Sequence, residues 1–185
     1  QYIVDAWGQI QIPNGTYVFS FTLTSGSNDS DCSGQAIDQF VRNIEIYEPT
    51  FLDLISPGER NIASAEQSPV FSTYPVFNWS TDMCSACNYG IRVSEYDPSK
   101  HSSLSEALND NSSLPLDQSQ DFFTITGEGL NFQYPSSGGL ELTPGNFYVW
   151  QVRRDYGTTV GQKEDYSEIF IFKINSFDDS SSSNL

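Results

Sequence analysis

The stretch "FNWSTDMCSACNYGIRV", residues 77–93, places two short alternating runs on either side of a pair of cysteines. Phe77 and Trp79 alternate with polar residues in the first run, and Ile91 and Val93 alternate in the second. Successive side chains of a strand point to opposite faces, so this alternation is typical of half-buried β-strands. The stretch therefore predicts two neighbouring strands with the Cys-x-x-Cys sequence at the tip of their connection.

Short runs of the same kind recur along the rest of the chain. The clearest is "YVFSFTLT" at residues 17–24, which follows the turn sequence "PNG" and has Tyr17, Phe19, Phe21 and Leu23 on one face. Helical spacing is present only in "SLSEALND", residues 103–110, which starts with a serine suited to an N-cap. The other runs are "YIVDAWGQIQI", "DQFVRNIEIYE", "DFFTIT", "LNFQYP", "NFYVWQVRRD" and "EIFIFKI".

Many short strands separated by turns predict an all-β fold, and specifically a β-sandwich of the immunoglobulin or fibronectin type III kind. Trp79 and Trp150 are expected to face each other across this sandwich. The full set of predicted core residues is Phe77, Trp79, Ile91, Val93, Tyr148, Trp150, Val152, Phe170 and Phe172.

Prolines and composition suggest three regions. Pro49 and Pro57 bracket a linker that merges into the first strand of the main module. Residues 1–48 are predicted to form a smaller β segment, a half-sandwich or strand-exchange module. Residues 49–175 form the predicted sandwich, and residues 176–185 are a polar, Ser-rich tail.

The charge and composition exclude several classes of function. A net charge of −16 repels phosphate backbones and anionic membrane surfaces, which makes nucleic acid a poor partner. No apolar run approaches the ~18–20 residues of a transmembrane helix, and no signal peptide is evident, so we expect any such peptide to have been removed. Aromatic residues make up 14% of the chain, which is enough to build a core despite the low overall hydrophobicity.

Four linked motifs resemble the fibronectin type III-like modules of secreted bacterial proteins. They are "PVFNWS", "YGIRVSEY", "LTPGNFYVWQVRR" and "GQKEDYSEIFIFKI", which together extend over residues 51–175. The resemblance implies a β-sandwich that is secreted or on the cell surface. It implies no catalytic residue, because a fold does not fix a function.

The first part of the chain, with "IPNGTYVFSFTL" and "DCSGQAIDQFVRNIEIYEP", is similar to the half-module that precedes such domains in TANFOR-type surface proteins of Bacteroidetes. In that family the Tyr-x-Phe strand often carries a cysteine that pairs with a downstream cysteine. This chain has Ser20 at that position, which leaves Cys32 without the partner that the resemblance implies.

The three cysteines allow several interpretations. Redox catalysis is disfavoured because no helix follows Cys84 and Cys87 to lower a thiol pKa. A zinc site would need Cys32 and His101 as well, from three separate segments. A disulfide in an oxidising compartment remains, either between Cys84 and Cys87 or from Cys32 to one of them. We favour Cys84–Cys87, which leaves Cys32 free or intermolecular.

No residues form a recognisable catalytic or cofactor-binding motif, and we expect neither enzymatic activity nor a cofactor. His101 lies in a polar run and is expected to be a solvated loop residue. Asp29 and Asp31 are weak candidates for calcium, but their loop lacks the pattern of a calcium-binding loop. Trp7 is the best candidate for an exposed aromatic that stacks on a sugar.

The functional hypothesis rests on the N-terminal segment, whose strands amount to about half a sandwich and would expose edges and an apolar face. These strands could join the sheets of the main module, could belong to a larger protein, or could be completed by neighbouring copies. We expect a non-enzymatic, extracellular or cell-surface structural protein that self-associates into a filament by strand addition. The alternative is an adhesion module of a larger surface protein that binds glycan or protein. The candidate assembly strand contains Tyr2, Ile3, Val4, Trp7, Ile10 and Ile12.

Overall fold

The structure is a computed structural model of the chain. Contacts divide the chain into two compact units, Gln1–Glu48 with Thr158–Gly161, and Pro49–Gly157 with Gln162–Leu185. We describe each unit separately. The described residues are 15–26, 34–46, 48–82, 84, 86–116, 121–126, 129–137, 139–158 and 161–175.

The described residues form mainly antiparallel β-strands, which confirms the predicted all-β class. Short helices and one 3₁₀ turn interrupt the strands. The strands are β1 (Gly15–Thr24), β2 (Ala36–Ile46), β3 (Leu52–Ser56), β4 (Val76–Thr81), β5 (Asn88–Tyr96), β6 (Phe123–Ile125), β7 (Asn131–Gln133), β8 (Phe147–Thr158), β9 (Gly161–Tyr166) and β10 (Phe170–Lys173). The helices are α1 (Ile62–Gln67) and α2 (Leu104–Asn109), and the 3₁₀ turn is Asn111–Ser113.

In the first unit, β1 and β2 form a two-stranded antiparallel sheet. Their pairing runs from Gly15 opposite Ile46 to Leu23 opposite Asp38, with an irregularity after Leu23. Gly15, the first residue of β1, pairs with Ile46 and has a positive φ of 157°, a backbone conformation that other residues rarely adopt. The other residues of the predicted "PNG" turn, Pro13 and Asn14, lie outside the described residues.

The second unit contains two sheets. The first has the strand order β3-β4-β7, and the second has the order β10-β8-β5-β6, with β9 also paired to β8. The longest pairing in this unit joins β5 to β8, from Asn88 opposite Asp155 to Tyr96 opposite Phe147. Strands close in sequence are therefore split between sheets, since β4 and β5 belong to different ones.

One hydrophobic core takes side chains from both sheets of the second unit. Phe77 from β4 meets the Trp150 ring of β8 edge-on, with 4.8 Å between the ring centres, and also packs on Phe172 of β10. Trp79 packs on Tyr89 instead of facing Trp150 as predicted. The residues predicted for the core, namely Phe77, Trp79, Ile91, Val93, Tyr148, Trp150, Val152, Phe170 and Phe172, are all buried in this cluster.

A second, smaller core lies on the other side of the β10-β8-β5-β6 sheet. Ala65 from α1 and Ala107 and Leu108 from α2 pack there with Val149 of β8 and Ile171 of β10. The two short helices thus cover the outer face of this sheet, so its central strands are buried on both sides and lose the simple alternation of a half-buried strand.

Two elements differ from the sequence-based expectation. The predicted helix at residues 103–110 is present as α2, and its N-cap Ser103 accepts a hydrogen bond from the Glu106 amide at 3.1 Å. Helix α1 was not predicted, although Asn61 caps it by accepting from the Ser64 amide. Strand β9 was not predicted either, because its sequence "GQKEDY" is polar and it forms by pairing with β8.

We predict that Phe77→Ala lowers the free energy of unfolding by about 3–5 kcal/mol, because it empties an enclosed aromatic site between the two sheets. Urea unfolding followed by tryptophan fluorescence measures the change. Phe51→Ala is the matched control, since Phe51 is exposed and the same truncation there should change stability by about 1 kcal/mol or less. Equal effects of the two substitutions would contradict the proposed core.

Candidate functional site

The candidate functional site is the hairpin surface, which we define as the two faces and outer edges of β1 and β2. On one face, Phe21 lies opposite Phe40, and their ring centres are 6.5 Å apart. The guanidinium of Arg42 lies over the Phe40 ring at 4.9 Å, which keeps a charge beside an otherwise apolar area. We call this side, with Tyr17, Phe19, Phe21, Leu23, Phe40, Arg42 and Ile44, the aromatic face.

The opposite side of the hairpin is more polar. Ser20 accepts a hydrogen bond from the Gln39 side chain at 2.9 Å, and Val18 lies opposite Asn43. We call this side, which also holds Thr22 and Val41, the hydroxyl face.

Large apolar side chains on both faces are exposed to solvent. Phe21 is 60% exposed on the aromatic face, and Val18 is 65% exposed on the hydroxyl face. Water-exposed apolar area of this density marks an interaction surface more often than it marks a stable free surface. The exposed large apolar residues of the hairpin are Val18, Phe21, Leu23, Ile37, Phe40, Val41 and Ile44.

Several predicted site residues lie outside the described residues. These are the assembly-strand residues Tyr2, Ile3, Val4, Trp7, Ile10 and Ile12, the leftover Cys32, and the calcium candidates Asp29 and Asp31. The predicted tail, residues 176–185, lies outside them as well. Their assignments stay predictions.

Cys84 and Cys87 lie at disulfide distance in the connection between β4 and β5, with their sulfur atoms 2.00 Å apart. The adjacent Asp82 holds the start of the second unit, because its carboxylate accepts from the Thr50 amide at 2.6 Å and from the Thr50 hydroxyl at 2.8 Å. The cysteine loop therefore sits at an end of the unit where chain segments are tied together by polar contacts.

Arg154 is the centre of that polar region and is only 1% exposed. Its Nη1 donates to the Phe51 carbonyl at 2.8 Å and to the Thr81 hydroxyl at 2.5 Å, and its Nη2 donates to Asp165 at 2.9 Å. Burial is the largest single effect on the pKa of the Asp165 carboxyl and raises it, but the hydrogen bonds from Arg154 and Tyr156 and the charges of Lys163 and Arg154 together lower it, so the net direction is downward. The network fastens β3, β4 and β9 to β8.

A second buried arginine, Arg92, joins the outer face of the sheet to the loops above it. Its Nε donates to the carbonyl of Leu108 at the end of α2, and its Nη2 donates to the Asn111 side chain at 2.8 Å. Its Nη1 forms an ion pair with Asp121. The burial of neither arginine was predicted. Arg92 alternates with Ile91 and Val93 and would face outward in a half-buried strand, whereas Arg154 lies on the same face of β8 as Trp150 and Val152.

His101 is buried, which corrects the expectation of a solvated loop histidine. Only 6% of the residue is exposed, and its ring packs near Tyr96. Nδ1 accepts from the Asp97 amide at 3.1 Å, so the ring proton lies on Nε2, which donates to Asp110 at 3.2 Å. With both ring nitrogens engaged, His101 ties two loops together and offers no free base.

Asp110 collects the hydrogen bonds of this cluster. It accepts from the Ser112 hydroxyl at 2.6 Å, the Ser112 amide at 2.9 Å and the Ser113 hydroxyl at 2.8 Å, in addition to His101. The Ser112 contacts are the largest of the effects that hold the pKa of the Asp110 carboxyl well below its usual range. The cluster caps the 3₁₀ turn after α2 and is structural in character.

One groove in the second unit has a volume of about 310 Å³. Glu95 and Glu141 line it together with Leu140 and the Tyr148 hydroxyl, which accepts from the Thr143 amide at 2.8 Å. Burial raises the pKa of Tyr148. Carboxylates beside apolar walls can accept hydrogen bonds from sugar hydroxyls or from a cationic side chain.

Metal and membrane sites were sought in the same part of the chain. The described residues contain no group of three or more His, Cys, Asp or Glu side chains placed to hold a metal ion. Within the described ranges, no helix has the length and apolar character needed to cross a membrane. Comparison of the sequence with models of known protein families finds no match, and comparison with curated proteins finds none either.

The disulfide generates one prediction. Because the loop it closes is short, the double substitution Cys84→Ser with Cys87→Ser should lower the free energy of unfolding by only about 2 kcal/mol or less. Urea unfolding measures this change, with the unsubstituted chain as reference. Non-reducing peptide mapping should recover Cys84 joined to Cys87, and a peptide that joins Cys32 to either of them would contradict the assignment.

The Asp110 cluster generates a pH prediction. The folded pKa of Asp110 is depressed, so its contribution to stability is present above its unfolded pKa and is lost as the pH falls below about 4. Asp110→Asn should therefore flatten part of the fall in stability between neutral and acidic pH. Urea midpoints at a series of pH values test this. Asp53→Asn, on the exposed side of β3, is the control for the change of charge itself, and an equal flattening in both variants would contradict the role of the cluster.

Proposed function

We propose that this chain is a non-enzymatic structural protein, secreted or displayed at the cell surface, whose copies assemble into an extracellular filament by β-strand addition. The observation that carries the proposal is the hairpin surface, where β1 and β2 form a two-stranded sheet with exposed apolar residues on both faces. Covering such a surface removes apolar area from water and therefore lowers the free energy of the system.

Two strands alone are a poor free-standing unit. An isolated hairpin is at best marginally stable in water, and three or more strands with a packed apolar face are needed for independent stability. Among the described strands, β1 and β2 pair only with each other. A strand at the edge of a sheet is a template on which another strand can pair through backbone N–H and C=O groups. Strand addition from a neighbouring copy would satisfy those groups and would cover the aromatic face.

The geometry of such a contact favours a filament over a closed pair. If one copy supplies a strand and the next supplies the edge, the two surfaces in contact differ, and each copy still has one free surface of each kind. Repetition of a head-to-tail contact of this type forms a ring if the rotation between successive copies closes. If the rotation does not close, the copies form a fibre.

We further propose that the second unit is a fibronectin type III-like sandwich. With β9 set aside, its strands in chain order place the first, second and fifth in one sheet, and the third, fourth, sixth and seventh in the other. This division of strands between sheets is the one typical of immunoglobulin-like sandwiches. The shared aromatic core supports the same reading.

Two features support the extracellular location, namely the cysteine pair and the acidic composition. A cysteine pair at disulfide distance suits an oxidising compartment. The strongly acidic composition, with a net charge of −16, keeps a secreted protein dispersed in spite of its apolar hairpin. In this proposal the second unit acts as the rigid body of each subunit.

The alternative function is an adhesion or ligand-binding module of a larger surface protein. The groove lined by Glu95, Glu141 and Tyr148 favours it, because it combines carboxylate acceptors with an apolar wall in a rigid unit. In this alternative the chain binds a glycan or a protein, and the hairpin packs on other parts of the larger protein.

Negative-stain microscopy and light scattering of the purified chain test the proposal. We expect fibres with a repeat of one chain, and Phe21→Lys should raise the concentration needed for assembly by about tenfold or more, because it puts a charge in the aromatic face. Ile55→Lys is the matched control, since Ile55 is similarly exposed, at 59%, in the second unit. A chain that stays monomeric at all concentrations would sink the filament proposal and would favour the adhesion module.

A further inference from the structure

We infer that the acceptor in this assembly is the outer edge of β1, and that the strand it accepts is the segment of residues 1–12 from a second copy of this chain. The inference rests on the proposed function and specifies its junction. The edge of β1 and the segment of residues 1–12 can each be blocked separately by substitution.

The sequence of β1 leaves its edge unprotected. Its ten residues, "GTYVFSFTLT", contain no charged residue and no proline. Natural edge strands are normally kept apart by lysines, prolines, bulges or short length, and a long uncharged edge is a template for another strand. The irregularity in the β1–β2 pairing comes only at the end of the strand, after Leu23, so most of the edge is regular.

The other edge of the hairpin is less suitable. Strand β2 carries Asp38 and Arg42 along its length, and both lie on the aromatic face opposite residues of β1. A strand docked on the β2 edge would bring its apolar side chains next to these charges. The same strand docked on β1 would lie beside Phe19 and Phe21.

The described edges of the second unit are also protected. Strand β9 carries Lys163, Glu164 and Asp165, and β6 and β7 have three residues each. Strand β10 is flanked by a bridge between Glu59 and Ile171. Strand β3 has five residues and ends at Ser56, which Pro57 follows directly. Among the described strands, β1 therefore offers the longest uncharged edge.

The segment of residues 1–12 matches this edge in pattern and in length. Apart from Gly8, its even-numbered positions are all apolar or aromatic. Its odd-numbered positions are Gln1, Ile3, Asp5, Trp7, Gln9 and Gln11, of which three are amides. A strand with this alternation would extend the aromatic face with one side and would place its amides beside Ser20 and Thr22 with the other. At about 3.3 Å per residue, its span of roughly 40 Å covers the ten residues of β1.

The connection within one chain disfavours pairing of this segment with its own β1. Only Pro13 and Asn14 separate the segment from Gly15. The two-residue hairpin turns need a positive φ at their first position, and proline is locked near −65°. A three-residue turn would need Gly15 in the left-handed helical region, near a φ of about +57°. Gly15 instead lies within the β1–β2 ladder with a φ of 157°. A second copy has no such restriction.

A complementation experiment with full-length chains tests the inference. Ile10→Asp with Ile12→Asp disables the donor segment and leaves β1 intact, whereas Val18→Lys disables the acceptor edge and leaves the donor intact. Each variant alone should fail to form fibres, and an equimolar mixture should form one-to-one pairs that grow no further, measured by light scattering. Asn43→Lys is the matched control, because Asn43 lies opposite Val18 on β2, and it should assemble normally.

If a variant folds poorly, hydrogen exchange of the unsubstituted chain and the binding of a synthetic peptide still test the inference. In fibres of the unsubstituted chain, amides of β1 should become protected against exchange, while exposed amides of β2 stay unprotected. A synthetic peptide of residues 1–13 should bind the donor-disabled chain, and a scrambled peptide should not.

The outcomes separate the inference from the proposed function. Fibres that form without protection of β1, or that Asn43→Lys blocks as strongly as Val18→Lys does, would overturn the inference and leave the filament proposal standing. A monomer in which β1 is already protected would show that the segment pairs within its own chain, which would also overturn it. A monomer without protection of β1 would remove the proposed function itself.

Discussion

The second unit depends on the edge-to-face contact of Phe77 with Trp150, because this contact joins its two sheets at the centre of the core. The Trp150 indole also donates a hydrogen bond to the Pro57 carbonyl at 2.8 Å. Trp150 thus fixes the end of β3 as well as the distance between sheets. With that position set, β5 and β10 pair on either side of β8, and the short helices cover the remaining face.

Much of this unit could be predicted from the sequence, and the reason is the regular alternation of its aromatic residues. The alternation of Phe77 and Trp79 predicts that β4 is a strand and shows which of its faces points into the core. The alternation of Trp150 and Val152 does the same for β8. Strand β9 could not be found in that way, because its polar residues take their conformation from pairing with β8 and bury little. Helix α1 is as short as α2, but Ala65 is its only buried residue, so its sequence lacks the apolar spacing that predicted α2.

The polar interior could not be read from the sequence. Arg92 alternates with Ile91 and Val93, a position that normally faces solvent, and it is buried because α2 covers it. Arg154 lies on the inward face with Trp150 and Val152, and the sequence does not show that the Asp165 carboxylate partners its charge there. His101 lies in a run of polar residues, but its burial follows from two hydrogen bonds that join loops distant from the predicted strands. For the hairpin, alternation in β1 predicted two faces correctly, and only the structure of β2 shows that both carry exposed apolar residues.

The contacts of Arg154 bear on how this sequence can vary during evolution. Arg154 donates a hydrogen bond to the main-chain carbonyl of residue 51. The side chain at position 51 can therefore change without loss of that hydrogen bond. The positions that supply side-chain oxygens, Thr81, Asp82 and Asp165, lack that freedom. A buried charge must keep its partners, so in related sequences positions 154 and 165 should change together, whereas position 51 should drift.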